Sequence, residues 1–101
     1  MTASGPLAPI LLRAAELVET RGLAKRKATD GPKICTQYAI HLAAHALREY
    51  PFSVRASAEA FRHFSVLRCG GGSVIEWNDR PEHTAEVVAA ALRLTAEEVP
   101  A

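Results

Sequence analysis

Three consecutive glycines, Gly70-Gly71-Gly72, are the feature that most restricts how this chain can fold. Each glycine gives up more backbone freedom in a helix than alanine does, so a run of three ends one. Beyond the break lies Ser73 to Val88, SVIEWNDRPEHTAEVV, and its own side chains have to place it. Ser73-Val74-Ile75-Glu76-Trp77 is short, β-branched and aromatic, which predicts an extended, half-buried segment. Asn78-Asp79 predicts a turn, since both side chains can bond nearby backbone amides. Pro81 suits a helix's first turn, where its missing N–H goes unused. Two helix starts compete: Asp79 with Glu82 forms a capping-box-like pair, and Thr84 can cap a slightly later start. The favoured reading is a tight turn at Asp79 and a helix from between Pro81 and Thr84 onward. The sole tryptophan, Trp77, stands just before the turn. Its apolar area makes it the anchor between turn and core, with ligand stacking or partner docking as the alternative use of the ring.

Upstream, apolar residues recur at helical spacing. Leu7, Ile10, Leu11, Ala14, Leu17 and Val18 predict a first helix from about Pro6 to Arg21, stopped by Gly22. Leu23 to Lys33 predicts a loop. A second helix is expected from about Ile34 to Tyr50, with Cys35, Ala39, Leu42, Ala43, Ala46 and Tyr50 on one stripe. That stripe is rich in small residues, so another helix can approach it closely. Pro51 breaks the pattern. Ser53 then suits the N-cap of a third helix, about Val54 to Leu67, with Val54, Ala60, Phe61, Phe64 and Leu67 on its apolar face. The last helix carries Val87, Val88, Ala91 and Leu92 inward.

At 101 residues, with 49% apolar and 23% charged, this is one globular unit with a modest core. The expected architecture is mainly α: a compact four-helix domain over residues 6–97, with a short extended segment before the last helix. Residues 1–5 read as a flexible N-terminus and 98–101 as a flexible tail. The extended segment has no evident partner within the chain. It can lie across the helices or pair with its copy in a homodimer.

The formal net charge is +1, which gives no global electrostatic reason to bind nucleic acid or a membrane. No apolar run approaches the roughly 20 residues that span a bilayer, and the N-terminus lacks the pattern of a secretory signal. Charge is nevertheless segregated. Residues 21–33 carry five basic groups (Arg21, Lys25, Arg26, Lys27 and Lys33) against Asp30, a local +4. Residues 76–98 carry six acidic groups against Arg80 and Arg93, a local −4. The basic loop reads first as a solvated loop facing an acidic helix, with an anion, nucleic-acid or protein contact as alternatives.

Two cysteines are too few for a disulfide scaffold and fit reduced thiols in a cytoplasmic protein. A Cys35–Cys69 bridge stays open at this level. Cys35 falls at a predicted helix N-terminus, where aligned amides favour a thiolate and Lys33 adds positive charge. It also falls on the stripe of core alanines, which favours a buried structural cysteine. His41 and His45 stand at i and i+4, a spacing that can hold a metal from one helix face. The intervening residues are Leu42-Ala43-Ala44, so the glutamate of a zinc-protease motif is absent, and no third ligand is identifiable. The triple glycine lacks the Lys-Ser/Thr pair of a phosphate loop and reads as a connector.

Arg13-Ala14-Ala15-Glu16-Leu17-Val18-Glu19-Thr20-Arg21-Gly22 and Trp77-Asn78-Asp79-Arg80-Pro81-Glu82-His83-Thr84-Ala85-Glu86-Val87-Val88 carry a resemblance. They are similar to the opening helix and the closing signature of an uncharacterised family of short actinobacterial and actinophage proteins. That signature is a Trp-Asn-Asp turn, a proline and a Thr-Ala-Glu helix start. Cys35, leading a small-residue helix, resembles a cysteine of that family. The likeness covers most of residues 7–95, and the Trp77 stretch is its specific part. The middle departs from it: Tyr38 stands where a glycine is expected, and the Lys25-Arg26-Lys27 loop is individual. The resemblance implies the helical fold and no catalytic assignment.

The leading expectation is a small cytoplasmic, non-catalytic binding or regulatory module without a cofactor, docking a protein partner or a second copy. Its candidate binding residues are Trp77, Asn78 and Asp79, together with Arg21, Lys25, Arg26, Lys27 and Lys33. One rival is a thiol-dependent enzyme centred on Cys35. The other is an anion or nucleic-acid binder using the basic loop.

Overall fold

The computed structural model describes residues 6–100, so the N-terminal segment 1–5, expected to be flexible, lies outside the described residues. The element order is α1 (Leu7–Arg21), β1 (Thr29–Asp30), β2 (Lys33–Ile34), α2 (Thr36–Leu47), α3 (Phe52–Cys69), α4 (Val74–Asp79) and α5 (Ala85–Glu98).

The fold is built around α1, whose apolar spacing buries Ile10, Leu11, Ala14, Ala15 and Val18 completely. It lies chiefly against α5 and α2, and α2 in turn packs on α3. The shared core holds Ile34, Ile40, Phe64, Val88 and Leu92, all without solvent exposure. Alanines at the helix contacts (Ala14, Ala15, Ala39, Ala43 and Ala44) let the backbones approach closely, as the small-residue pattern predicts. On the surface, Arg93 of α5 donates to both carboxylate oxygens of Glu19 on α1, at 2.7 and 2.5 Å.

Gly22 stops α1 at φ 90, in the region open to glycine, and its N–H donates to the Val18 carbonyl at 2.8 Å. The expected loop is partly ordered. β1 and β2 pair antiparallel, with Thr29 opposite Ile34 and Asp30 opposite Lys33. A parallel bridge joins Leu23 to Ile34. Ile34 can therefore be fully buried while its backbone amide and carbonyl are bonded by Gly22 and Ala24.

Several expectations need correction. The segment expected to be extended before the last helix is the short helix α4, so the described residues form five helices where four were expected. Ser73 caps it, accepting from the Glu76 N–H at 3.1 Å. Val74, Trp77 and Asn78 then share one inward face at helical spacing. Cap and packing together outweigh the strand preference of Val74 and Ile75. With no extended edge there, strand pairing between two copies loses its basis. Asn78-Asp79 is accordingly the end of α4 and not a free turn, and the last helix is capped by Thr84, which accepts from the Val87 N–H at 3.3 Å.

The second helix begins at Thr36, with Cys35 as its N-cap, and ends at Leu47. Its buried face is Thr36, Ala39, Ile40, Ala43 and Ala44, so the stripe is rotated from the one expected and leaves Ala46 and Tyr50 exposed. Helix α3 is shifted too: it starts at Phe52, so Ser53 sits fully buried inside the first turn instead of capping it. At the other end, α5 runs to Glu98, which pairs with Arg68 of α3, and Val99 packs partly against the core. Among the described residues no helix is long and apolar enough to cross a membrane.

Candidate functional site

Two regions meet at the N-terminal end of α2: a polar junction beneath α4 and an open cleft between α2 and α3. The junction is centred on Asn78, which is 2% exposed. Its Oδ1 accepts from the Thr36 N–H at 2.9 Å and the Thr36 hydroxyl at 2.6 Å. Its Nδ2 donates to the Ala24 carbonyl at 2.9 Å and to Asp79 Oδ1 at 3.0 Å. An amide side chain offers two acceptor and two donor positions, and all four are used.

Lys25 completes the junction. Its ammonium donates to the carbonyls of Asn78 at 2.5 Å, Arg80 at 2.8 Å and His83 at 2.7 Å, filling all three of its donor positions. The positive charge also lies at the C-terminal end of α4, where unpaired carbonyls concentrate negative potential. Asp79 accepts the Arg26 backbone N–H at 2.8 Å. That bond is the main reason its carboxyl is held below the ordinary aspartate range. Burial opposes the shift, while Asn78 and the charges of Lys25 and Arg26 add to it. Trp77 is half-buried, edge-on to Phe64 at 5.1 Å between ring centroids and 4.1 Å from His83. His83 Nδ1 donates to the Trp77 carbonyl at 2.6 Å.

The basic loop is thereby taken apart into separate tasks. Arg21 donates to the Pro32 carbonyl at 2.8 Å. The stem of Lys33 lies over Gly22, where a Cβ would come within 3.0 Å of its Cγ. Lys27 is loosely paired with Asp30 at 3.9 Å. Arg26, at φ 64, is a non-glycine residue in the left-handed region. The structure brings Trp77, Asn78, Asp79 and Lys25 together, whereas Arg21 and Lys33 stand apart from that group.

The cleft has a volume of about 590 Å³. Tyr38, His41 and His45 wall it from α2, and Val54, Ser57 and Phe61 from α3. No Asp, Glu, Lys or Arg lines it among the described residues. Beyond Cys35 lies a second cavity of about 180 Å³, bordered by Arg26, Lys27, Val74, Ile75 and Asp79. Ala28, Cys35 and Gln37 border both cavities.

Cys35 is therefore a half-buried wall residue and not a core cysteine. Its Sγ accepts from the Tyr38 N–H at 3.4 Å, capping α2. It is a free thiol, as is Cys69, whose thiol is pushed up by burial. A helix rises about 1.5 Å per residue, so His41 lies about 9 Å further along α2 than Cys35. A nucleophile and its base must approach to hydrogen-bond reach, and among the described residues the Cys35 thiol is hydrogen-bonded to the Tyr38 N–H and to no histidine. His41 and His45 have ring centroids 4.3 Å apart, with Tyr38 stacked on the other side of His41 at 5.9 Å. Among the described residues no set of three or more His, Cys, Asp or Glu side chains converges to hold a metal.

The cleft residues other than Cys35, His41 and His45 were not candidates on sequence grounds. A signal for them exists: Tyr38, His41 and His45 on α2 and Val54, Ser57 and Phe61 on α3 repeat at three- and four-residue intervals. Each set flanks the buried stripe of its helix, so the two form facing walls.

No curated protein and no solved structure matches the chain. One family model does, described as a family of unknown function (DUF6197), over residues 2–98. With nearly its whole length matched, the chain belongs to that family.

Proposed function

We propose that the protein is a small non-catalytic binding module that takes a ring-bearing small molecule into the cleft between α2 and α3. The observation that carries this reading is the cleft's size and lining. Its volume of about 590 Å³ is that of an ordinary small-ligand site. Tyr38 and Phe61 offer ring faces or edges, and Gln37 and Ser57 supply a few polar groups for orientation. The separation of Cys35 from His41 supports a binding role over thiol catalysis. Free thiols at Cys35 and Cys69 suit a cytoplasmic setting. The basic loop weighs less as a nucleic-acid surface, because Lys25 has all its donors committed inside the fold.

A second reading has its own observation. Tyr50 and Phe52, 79% and 64% exposed at the α2–α3 corner, adjoin Val54 at the cleft. Such a patch suits a protein partner or a second copy.

Fluorescence titration with the uncharged probe N-phenyl-1-naphthylamine tests the cleft. Saturable binding at one site is expected. Ala58→Phe, which fills the cleft from an exposed position of α3, should abolish it, and Leu94→Ser on the far helix α5 should not. Binding that survives Ala58→Phe would place the probe elsewhere and count against the reading.

A further inference from the structure

The two cavities share Ala28, Cys35 and Gln37 as borders and form two ends of unlike lining. The large end is aromatic and carries no Asp, Glu, Lys or Arg. The small end is bordered by Arg26, Lys27 and Asp79. We infer that the ligand is an amphiphilic anion, with its ring in the α2–α3 cleft and its carboxylate, sulfonate or phosphate at Arg26 and Lys27. This inference rests on the cleft being the binding site.

Charge is the first support. Among the described residues, Asp79 is the only acidic side chain bordering either cavity. Its Oδ1 accepts the Arg26 backbone N–H and the Asn78 amide, and against its single negative charge stand the positive charges of Arg26 and Lys27. Lys27 is held only loosely by Asp30, at 3.9 Å and with both side chains mostly exposed. Arg26 is the second support. Its backbone adopts φ 64, a conformation that disfavours residues with a Cβ. Among the described residues its guanidinium makes no hydrogen bond or ion pair that would compensate, and only its backbone N–H is used. The Asp79 bond fixes where that strained residue stands, at the mouth of the smaller cavity. A guanidinium so placed can take an anion through two parallel N–H bonds.

Size is the third support. About 180 Å³ accommodates a charged group without a ring, and about 590 Å³ accommodates the ring. Cys35 and Gln37 border both cavities, so a ligand reaching from one to the other passes a thiol and an amide.

The test compares two probes with the same aryl body, 1-anilinonaphthalene-8-sulfonate and the uncharged N-phenyl-1-naphthylamine. The sulfonate should bind about tenfold tighter, the difference expected of a charge-assisted contact. Arg26→Gln with Lys27→Gln, both at exposed positions, should bring the sulfonate down to the affinity of the uncharged probe and leave the latter unchanged. Added salt should weaken the sulfonate alone. Equal affinity for the two probes in the parent would overturn the inference and leave the cleft reading standing. A sulfonate preference that survives the double substitution would also overturn it. Absence of binding by both probes would remove the cleft reading, and the inference with it.

Discussion

The junction beneath α4 and the cleft between α2 and α3 border each other, yet they use polar side chains in opposite ways. In the junction, Asn78 and Lys25 have every hydrogen-bonding position occupied by the protein itself. In the cleft, Gln37, Ser57 and His45 face open space. A conspicuous stretch of sequence therefore need not be the site. Trp77-Asn78-Asp79 reads as a recognition motif, but the Asn78 amide and Oδ1 of Asp79 are spent on joining α4, α2 and the loop after α1. A ligand could reach those groups only by breaking bonds the fold depends on.

The largest expected effect comes from breaking the junction at its centre. Asn78→Ala leaves the Thr36 amide and hydroxyl and the Ala24 carbonyl without partners inside the protein. Each buried, unpaired group costs about 1–3 kcal/mol, so a loss of about 3–4 kcal/mol is expected after partial hydration. That is a large share of a small domain's stability. Urea titration of the parent and the variant checks it. A loss below about 1 kcal/mol would mean that the junction does not hold α4 in place.

Lys25→Met comes next. It keeps the aliphatic stem but takes the donor away from three carbonyls at once. About 2 kcal/mol of destabilisation is expected, less than for Asn78 because one of those bonds is exposed and the other two are only part-buried. Uncharged-probe binding in the cleft should be unchanged at temperatures where the variant is folded. A variant that kept its stability but lost the probe would reverse the division of labour between the two regions.

Trp77→Ala should cost about 2–3 kcal/mol, below the range for a fully buried aromatic, since Trp77 is half-buried and loses chiefly its edge-to-face contact with Phe64. Trp77 is the sole tryptophan, so intrinsic fluorescence reports on this region directly. Emission of the folded parent at the wavelength of free tryptophan would contradict the packing against Phe64 and His83.

The two regions were also unequally legible in the sequence. Helices α1 and α5 could be read because their buried residues repeat at helical intervals close together in the chain, although Val87, expected inward, is exposed. Helix α4 was obscured by its β-branched residues, although Ser73 and Glu76 stand at capping-box spacing and Val74, Trp77 and Asn78 at core spacing. The junction was hidden for another reason. Asn78 meets Thr36 across 42 residues of chain, and Lys25 meets His83 across 58, so no local pattern couples them. The same distance concealed why Lys25 differs from the other basic residues beside it. The cleft wall on α3 was concealed because Val54 and Phe61 are apolar and read as core, whereas the fold leaves Val54 exposed and Phe61 half-buried.

The smallest effect expected within the junction is that of its one acidic side chain, and it has a pH signature. Asp79→Asn keeps an oxygen for the Arg26 N–H and removes the charge. At neutral pH the loss should be at most about 1 kcal/mol, since the carboxylate is partly solvated. The folded-state pKa lies below the ordinary aspartate value, chiefly because of the Arg26 backbone bond. The unfolded chain therefore binds the proton more readily. The contribution of Asp79 is then fully present above the unfolded pKa of about 4 and is lost as pH falls through the lowered folded value. Melting temperatures of parent and variant should differ from neutral pH down to about 4 and converge below it. A gap that persists unchanged at the acid end would assign the effect to the lost shape of the carboxylate and not to its charge. The junction would then be held by neutral hydrogen bonds and the Lys25 ammonium alone.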